Sequence, residues 1–257
     1  MDVYWLEQRE CDVPVANDWL SPSEVSRMNS MRFAKRRADW RLGRWTAKLG
    51  VASYLNLPAD LRALAQIEIR PAPSGAPEAF VANAAAAATI SISHRHGTAL
   101  CAVASSGARL GCDLEIVEPR SDAFVTDYFT KEEQALVACA SAAERSRLLA
   151  LLWSAKESAL KAIHEGLRVD TRDVIVSPDE SAFGLSGWSR LQVRCVGGQT
   201  FFGWWRSTDS MVTTMVADPP LNLPVSLKAP GYLPDTTSTD ALGEREKEKE
   251  ALSIVHS

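Results

Sequence analysis

Changes in hydrophobic period along the chain predict its elements. The opening DVYWLEQ reads as a strand, and LSPSEVSRM then opens a helix. Ser21 is placed to cap it, Pro22 occupies the first helical position and Glu24 closes a capping box. A longer helix is predicted over roughly 36–55, ending before Pro58. AQIEIRP reads as a strand, the Pro/Gly/Ala-rich stretch after it as loop with short strands, and TISIS and TALCAVAS as two further strands. A Ser-Gly turn near 106–107 leads into the strand RLGCDLEIV.

The same order then returns. FTKEEQALV opens a helix with Thr130 as cap and Glu133 three residues on. The long helix RSRLLALLWSAKESALKAIHEGL ends near Gly166, and DVIVS, RLQVRCV, TFFGWWRS and MVTTMVAD alternate as antiparallel strands do. Each half therefore reads as capped helix, gap, long helix and strands, a repeat of pattern with a period of about 110 residues. The expectation is an α+β fold of two similar halves related by a pseudo-two-fold, residues 1–106 and 107–218. Each would pack a small antiparallel sheet on a long helix, with the site at the interface. From 219 to 257 the chain turns Pro- and Ser/Thr-rich, then charged, and reads as a disordered tail.

Composition changes this picture little. The net charge of −4 argues against nucleic-acid binding, no apolar run is long enough for a membrane span, and the N-terminus lacks a signal-peptide pattern. Five cysteines without a C-x-x-C pair suit a reducing, cytoplasmic setting and no zinc site. The distribution of charge is more informative. Arg27, Arg32, Lys35, Arg36, Arg37, Arg41, Arg44 and Lys48 crowd one stretch, opposed only by Asp39.

Four features carry candidate chemistry. Asp113 and Glu115 point to one face of a strand, roughly 7 Å apart along the chain, where two like charges repel and a cation would relieve them. Glu157 and Lys161 share a helix face at i, i+4. Ser93 and His94 end a strand just before a turn. The basic helix forms a phosphate clamp or a docking face for an acidic partner. Each also has an ordinary explanation: a solvated edge strand, a surface ion pair, a hydrogen-bonded structural histidine, a solvated helix. No G-x-S-x-G elbow, P-loop or G-x-G-x-x-G occurs.

Taken in order, Ser93-His94, Gly111-Cys112-Asp113-Leu114-Glu115 and the run Trp153 to Lys161 (W-x-x-K-E-x-x-x-K) resemble the Sfp-type 4′-phosphopantetheinyl transferases. The stretch FAKRRADWRLGRWTAK resembles the basic N-terminal helix of that family, and the likeness covers roughly residues 5–217. It implies a cytoplasmic, monomeric transferase that moves 4′-phosphopantetheine from coenzyme A to a serine of an acidic acyl or peptidyl carrier protein. The pathway served, whether fatty acid, polyketide, nonribosomal peptide or lysine, stays open. The likeness also implies Mg²⁺ on Asp113, Glu115 and Glu157, with Glu157 as general base and Lys161 at the leaving group. Lys35, Arg44, Lys48, Arg70, Ser93 and His94 would then hold coenzyme A. Two departures stand out: Ala76 replaces a lysine common in the family, and Arg95 and His96 precede Gly97, lengthening the loop beside the coenzyme. The competing readings are an idle homologue that binds without transfer and an unrelated interaction module.

Overall fold

The computed structural model describes residues 1–164, 169–178 and 187–229. In chain order the helices are α1 (Pro22–Asn29), α2 (Ala34–Tyr54), α3 (Leu61–Ala65), α4 (Asp122–Tyr128), α5 (Lys131–Cys139) and α6 (Ala142–Ala162). The strands are β1 (Val3–Arg9), β2 (Ile67–Pro71), β3 (Pro77–Val81), β4 (Ala84–Ala85), β5 (Ala88–Arg95), β6 (Thr98–Ser105), β7 (Arg109–Ile116), β8 (Val174–Pro178), β9 (Ser189–Cys195), β10 (Thr200–Ser207), β11 (Met211–Asp218) and β12 (Val225–Ser226).

These elements form an α+β fold with three sheets, ordered β12-β1-β6-β5, β7-β11-β10-β9-β8 and β2-β3-β4. Helix α2 packs on the first sheet and α6 on the second. The end of α6 predicted at Gly166 lies outside the described residues. Between the two larger sheets sits a core cluster including Val3, Trp5, Leu100, Leu110, Cys112 and Met215. Across the same seam Arg206 pairs with Glu7 at 2.9 Å and lies over the Trp5 ring at 4.0 Å.

Both long helices are anchored in the same way. Glu24 accepts from the Ser21 amide at 3.1 Å and from the Ile69 amide at 3.2 Å, and pairs with Lys48 at 2.5 Å. Lys48 also donates to the carbonyls of Trp19 at 2.9 Å and Leu64 at 3.0 Å. In the second half Glu133 accepts from the Thr130 amide at 2.9 Å and the Val176 amide at 3.0 Å, and pairs with Lys156 at 2.8 Å. Lys156 donates to the carbonyls of Thr171 and Val174. Each ammonium lies near an aromatic ring, Trp19 or Phe129. The capping-box glutamates thus reach past their own helices, tying capped helix, long helix and strand together. Burial lowers the pKa of both lysines, and the partner glutamate works against that.

This arrangement corrects one expectation. Lys48 is fully buried, so it cannot meet a coenzyme phosphate. It sits on the inner stripe of α2 with Trp45, Leu49 and Ala52. The tail expectation also changes. Residues 219–229 return to the first half instead of leaving the body. Leu221 is buried between the sheets, Asn222 donates its amide to the Met1 carbonyl at 2.8 Å, and β12 pairs in parallel with β1. Apolar positions this sparse show no period, yet Leu221 and Leu227 pack against the body while Leu223 and Val225 stay exposed. The remainder, 230–257, lies outside the described residues.

One contact sets the spacing of the second half. Gly111 in β7 meets α6 so closely that a Cβ there would stand 1.8 Å from the Ser158 carbonyl oxygen. Gly111→Ala is expected to force β7 and α6 apart and cost at least about 3 kcal/mol, the upper range for overpacking, read from urea unfolding. An unchanged midpoint would show that the contact yields freely. Lys48→Ala is expected to cost about 3–5 kcal/mol by leaving Glu24 buried and unpaired. The Lys48→Met/Glu24→Leu double variant, with no stranded charge, should cost less than the single change.

Candidate functional site

The site forms where the ends of β5 and β7 meet the last turns of α6. Strand β5 closes on β6 through a two-residue turn, His96–Gly97, both with positive φ, so Arg95 pairs with Thr98. This is the backbone of a primed hairpin turn, whose twist matches the strands it joins. Arg95, read from the sequence as part of the loop, ends the strand instead. Ser93, His94 and Arg95 reach the seam as consecutive residues. Ser91 supports them from below, accepting the Cys112 amide at 2.9 Å and so tying β5 to β7 across the halves.

Asp113 is the centre. Its Oδ1 accepts from Ser93 Oγ at 2.8 Å and from Lys161 Nζ at 2.7 Å. Lys161 also donates to the Cys112 carbonyl at 3.0 Å. The other Asp113 oxygen, Oδ2, is buried with no hydrogen-bond partner among the described residues, on a residue only 5% exposed. An unsatisfied buried carboxylate oxygen is costly, and it marks a place for a donor or a cation.

Glu115 and Glu157 flank this centre. Burial, and next the charge of Asp113, raise the pKa of each; Arg95 and Arg120 oppose the rise at Glu115, as Lys161 does at Glu157. Burial pulls Lys161 down, yet Asp113 and Glu157 outweigh it, and its pKa lies above the usual lysine value. Glu157 takes part in no hydrogen bond or ion pair within the described residues. Glu115 instead holds Arg120 at 3.3 Å and Arg95 at 3.6 Å. Among the described residues no three His, Cys, Asp or Glu side chains converge closely enough to grip a metal ion. Asp113 is turned to Lys161 and Glu115 to the arginines, each carboxylate on a cation of its own.

The predicted coenzyme residues divide. His94 borders the site with an exposed surface, its pKa lowered by partial desolvation, with Asp39, Lys161, Lys35 and Asp113 all felt at the ring. Lys35 is exposed at the start of α2 and, among the described residues, pairs with Asp39 at 3.1 Å. Arg44 is a second correction. It is mostly buried, turned toward Glu24 at 3.9 Å and over the Trp40 ring at 4.9 Å. Arg70 is engaged on the three-stranded sheet, bonded to Glu68 and Asn83 at 2.6 Å each and stacked on Phe80. Beside Lys161 a cavity of about 280 Å³ is lined by Ser74, Ala76, Pro77, Ile92 and His164. It adjoins a larger one of about 590 Å³ bordered by Arg109 and Glu78.

The sequence reading missed Arg120, Arg95 and Glu118. Arg120 lies beyond the end of β7, five residues after Glu115, where neither strand nor helix period relates the two. Arg95 had a signal, a cation directly after the Ser-His pair, but it was read as loop.

No curated protein matches the chain. Residues 109–215, the segment that supplies Asp113, Glu115, Glu157 and Lys161, match the family model of the 4′-phosphopantetheinyl transferase superfamily. The likeness to the 4′-phosphopantetheinyl transferase superfamily thus rests on residues 109–215, less than half of the chain.

Proposed function

We propose that the protein transfers the 4′-phosphopantetheine group of coenzyme A to a serine of an acyl or peptidyl carrier protein, with Mg²⁺ as cofactor. The carrying observation is Asp113, bonded through one oxygen to Ser93 and Lys161 and left unpartnered at the other, inside the family-matched segment. Its all-oxygen neighbourhood with Glu115 and Glu157 suits a hard cation, and these three residues would hold Mg²⁺. Bound there, the ion supplies positive charge against the coenzyme diphosphate.

The chain's own groups divide the remaining work. The carrier serine Oγ attacks the β-phosphorus, the new O–P bond forms, and the bond to 3′,5′-ADP breaks. Glu157 takes the serine proton, being the carboxylate of the three with no hydrogen bond or ion pair of its own among the described residues. Lys161 keeps 29% of its side chain exposed while bonded to Asp113. It is therefore held in place yet open to a phosphate oxygen on which charge develops. His94 and Lys35 meet the coenzyme phosphates, and the cavities running from Lys161 past Ala76 and Pro77 accommodate the rest of the coenzyme. With Lys48 and Arg44 turned inward, exposed Arg32, Lys35 and Arg36 remain as the basic face toward an acidic carrier. The matching Glu24–Lys48 and Glu133–Lys156 anchors support two halves related by a pseudo-two-fold. Among the described residues no helix is long and apolar enough to cross a membrane, and we read the enzyme as a cytoplasmic monomer.

Mass spectrometry of an apo carrier protein incubated with coenzyme A and Mg²⁺ should show addition of the phosphopantetheine group, lost in Asp113→Asn. An unmodified carrier alongside measurable coenzyme binding would favour an idle homologue. Lys161→Ala is expected to lower kcat by roughly a hundredfold, comparable with loss of one oxyanion donor, with little change in the KM for coenzyme A. Retention of most of kcat would return Lys161 to the part of a plain ion-pair partner.

A further inference from the structure

Glu115, Glu118, Arg95 and Arg120 form a closed ring of charge on the rim of the site. Arg120 Nη2 lies 3.3 Å from Glu115 and 3.0 Å from Glu118. Arg95 reaches the same two carboxylates at 3.6 Å each. The ring is built from both halves, Arg95 from the end of β5 and the other three from β7 and the residues after it. Arg120 is also braced against the Phe124 ring at 5.1 Å. Glu115 is nearly buried, whereas both arginines keep part of their side chains in solvent, 25% for Arg120 and 40% for Arg95. The carboxylate is therefore fixed, and the cations are the movable partners.

Charge accounting gives this ring a consequence. Asp113, Glu115, Glu118 and Glu157 bring four negative charges, and Lys161, Arg95 and Arg120 bring three positive ones. The site is close to neutral with the arginines in place. A divalent cation on Asp113, Glu115 and Glu157 would raise the sum from −1 to +1. It would also contest Glu115 with two guanidinium groups that the same carboxylate already binds. Arginine forks suit phosphate oxygens as well as carboxylates.

We propose that Arg95 and Arg120 are exchangeable counter-ions of Glu115, which yield the carboxylate to the divalent cation and turn to the diphosphate of the incoming substrate. The inference rests on the cation site read above. It makes the two arginines binding residues that couple cation binding to diphosphate binding. With the cation absent they compete with it. Once it is bound they add to the affinity for the anion it accompanies, so each ligand strengthens the other.

The test uses the full chain and Mn²⁺ as probe, with bound metal read by electron paramagnetic resonance and coenzyme A binding read by calorimetry with and without Mn²⁺. Arg95→Gln, Arg120→Gln and the double variant should bind Mn²⁺ alone at least about fivefold more tightly than the parent, the low end of typical coupling between sites. The same variants should show a smaller gain in coenzyme A affinity on adding Mn²⁺. Arg120→Lys keeps the charge and should restore the parental Mn²⁺ affinity, which separates charge exchange from a general loosening of the loop. Unchanged or weaker Mn²⁺ binding in the Gln variants would overturn the proposal while the cation site itself stands. If the parent binds no Mn²⁺ that Asp113→Asn removes, the cation site falls and the proposal falls with it.

Discussion

The close approach of β7 to α6 at Gly111 is the constraint on which the site depends. With no side chain at Gly111, the strand lies directly against the Ser158 carbonyl. The facing side of α6 is correspondingly small, with Ser154, Ala155, Ser158, Ala159 and Ala162 all buried. Ser154 and Ser158 both reach the Thr214 hydroxyl on the neighbouring strand, at 2.9 and 2.7 Å. Asp113 follows Gly111 by two residues, and Lys161 follows Ser158 by three. The close contact therefore lets a lysine on the helix reach a carboxylate on the strand at 2.7 Å. The glycine in the G-x-D-x-E pattern acts through this spacing.

Four lysines of this fold divide between two occupations, and burial separates them. Lys48 and Lys156 are enclosed, each with a glutamate and two carbonyls as partners, and hold long helix to strand. Lys35 and Lys161 each hold one carboxylate and keep part of the side chain in solvent. An enclosed ion pair contributes little net stability, because desolvation offsets its attraction, but stranding one partner is costly. The buried pairs thus specify where α2 and α6 sit, while apolar packing stabilises them there.

This division explains where the sequence was readable and where it was not. Both capping boxes, the long helices within a few residues, and the alternating strands β8 to β11 follow from local spacing, and so did the same-face carboxylates of β7. Helix α4 escaped notice although Ser121 caps it, because only Val125 among its residues is buried and its apolar pattern is weak. The family likeness assigns Lys48 to the coenzyme, whereas its own helix face assigns it to the core. Its place on one stripe with Trp45, Leu49 and Ala52 was the available signal, and Lys156, flanked by Leu152 and Leu160, carries the same one. Arg120 had no such signal. Its partnership with Glu115 depends on how the chain turns after β7, a tertiary fact that no period encodes.

The carboxylate centre belongs to neither half alone. Asp113 sits on the sheet of the second half, but Ser93, His94 and Arg95 come from the edge strand of the first. Those groups meet only if the two sheets are docked, and docking rests on the cluster around Trp5, Leu100, Leu110 and Met215, with Arg206 bridging at its margin. Residues 219–229 reinforce the arrangement by running from the end of β11 back to β1. The family-matched segment contains every acidic member of the proposed cation site, whereas the serine that steadies Asp113 and one arginine that balances Glu115 lie outside it. The first half therefore supplies part of the acidic centre itself: its Ser93 holds Asp113, and its Arg95 faces Glu115.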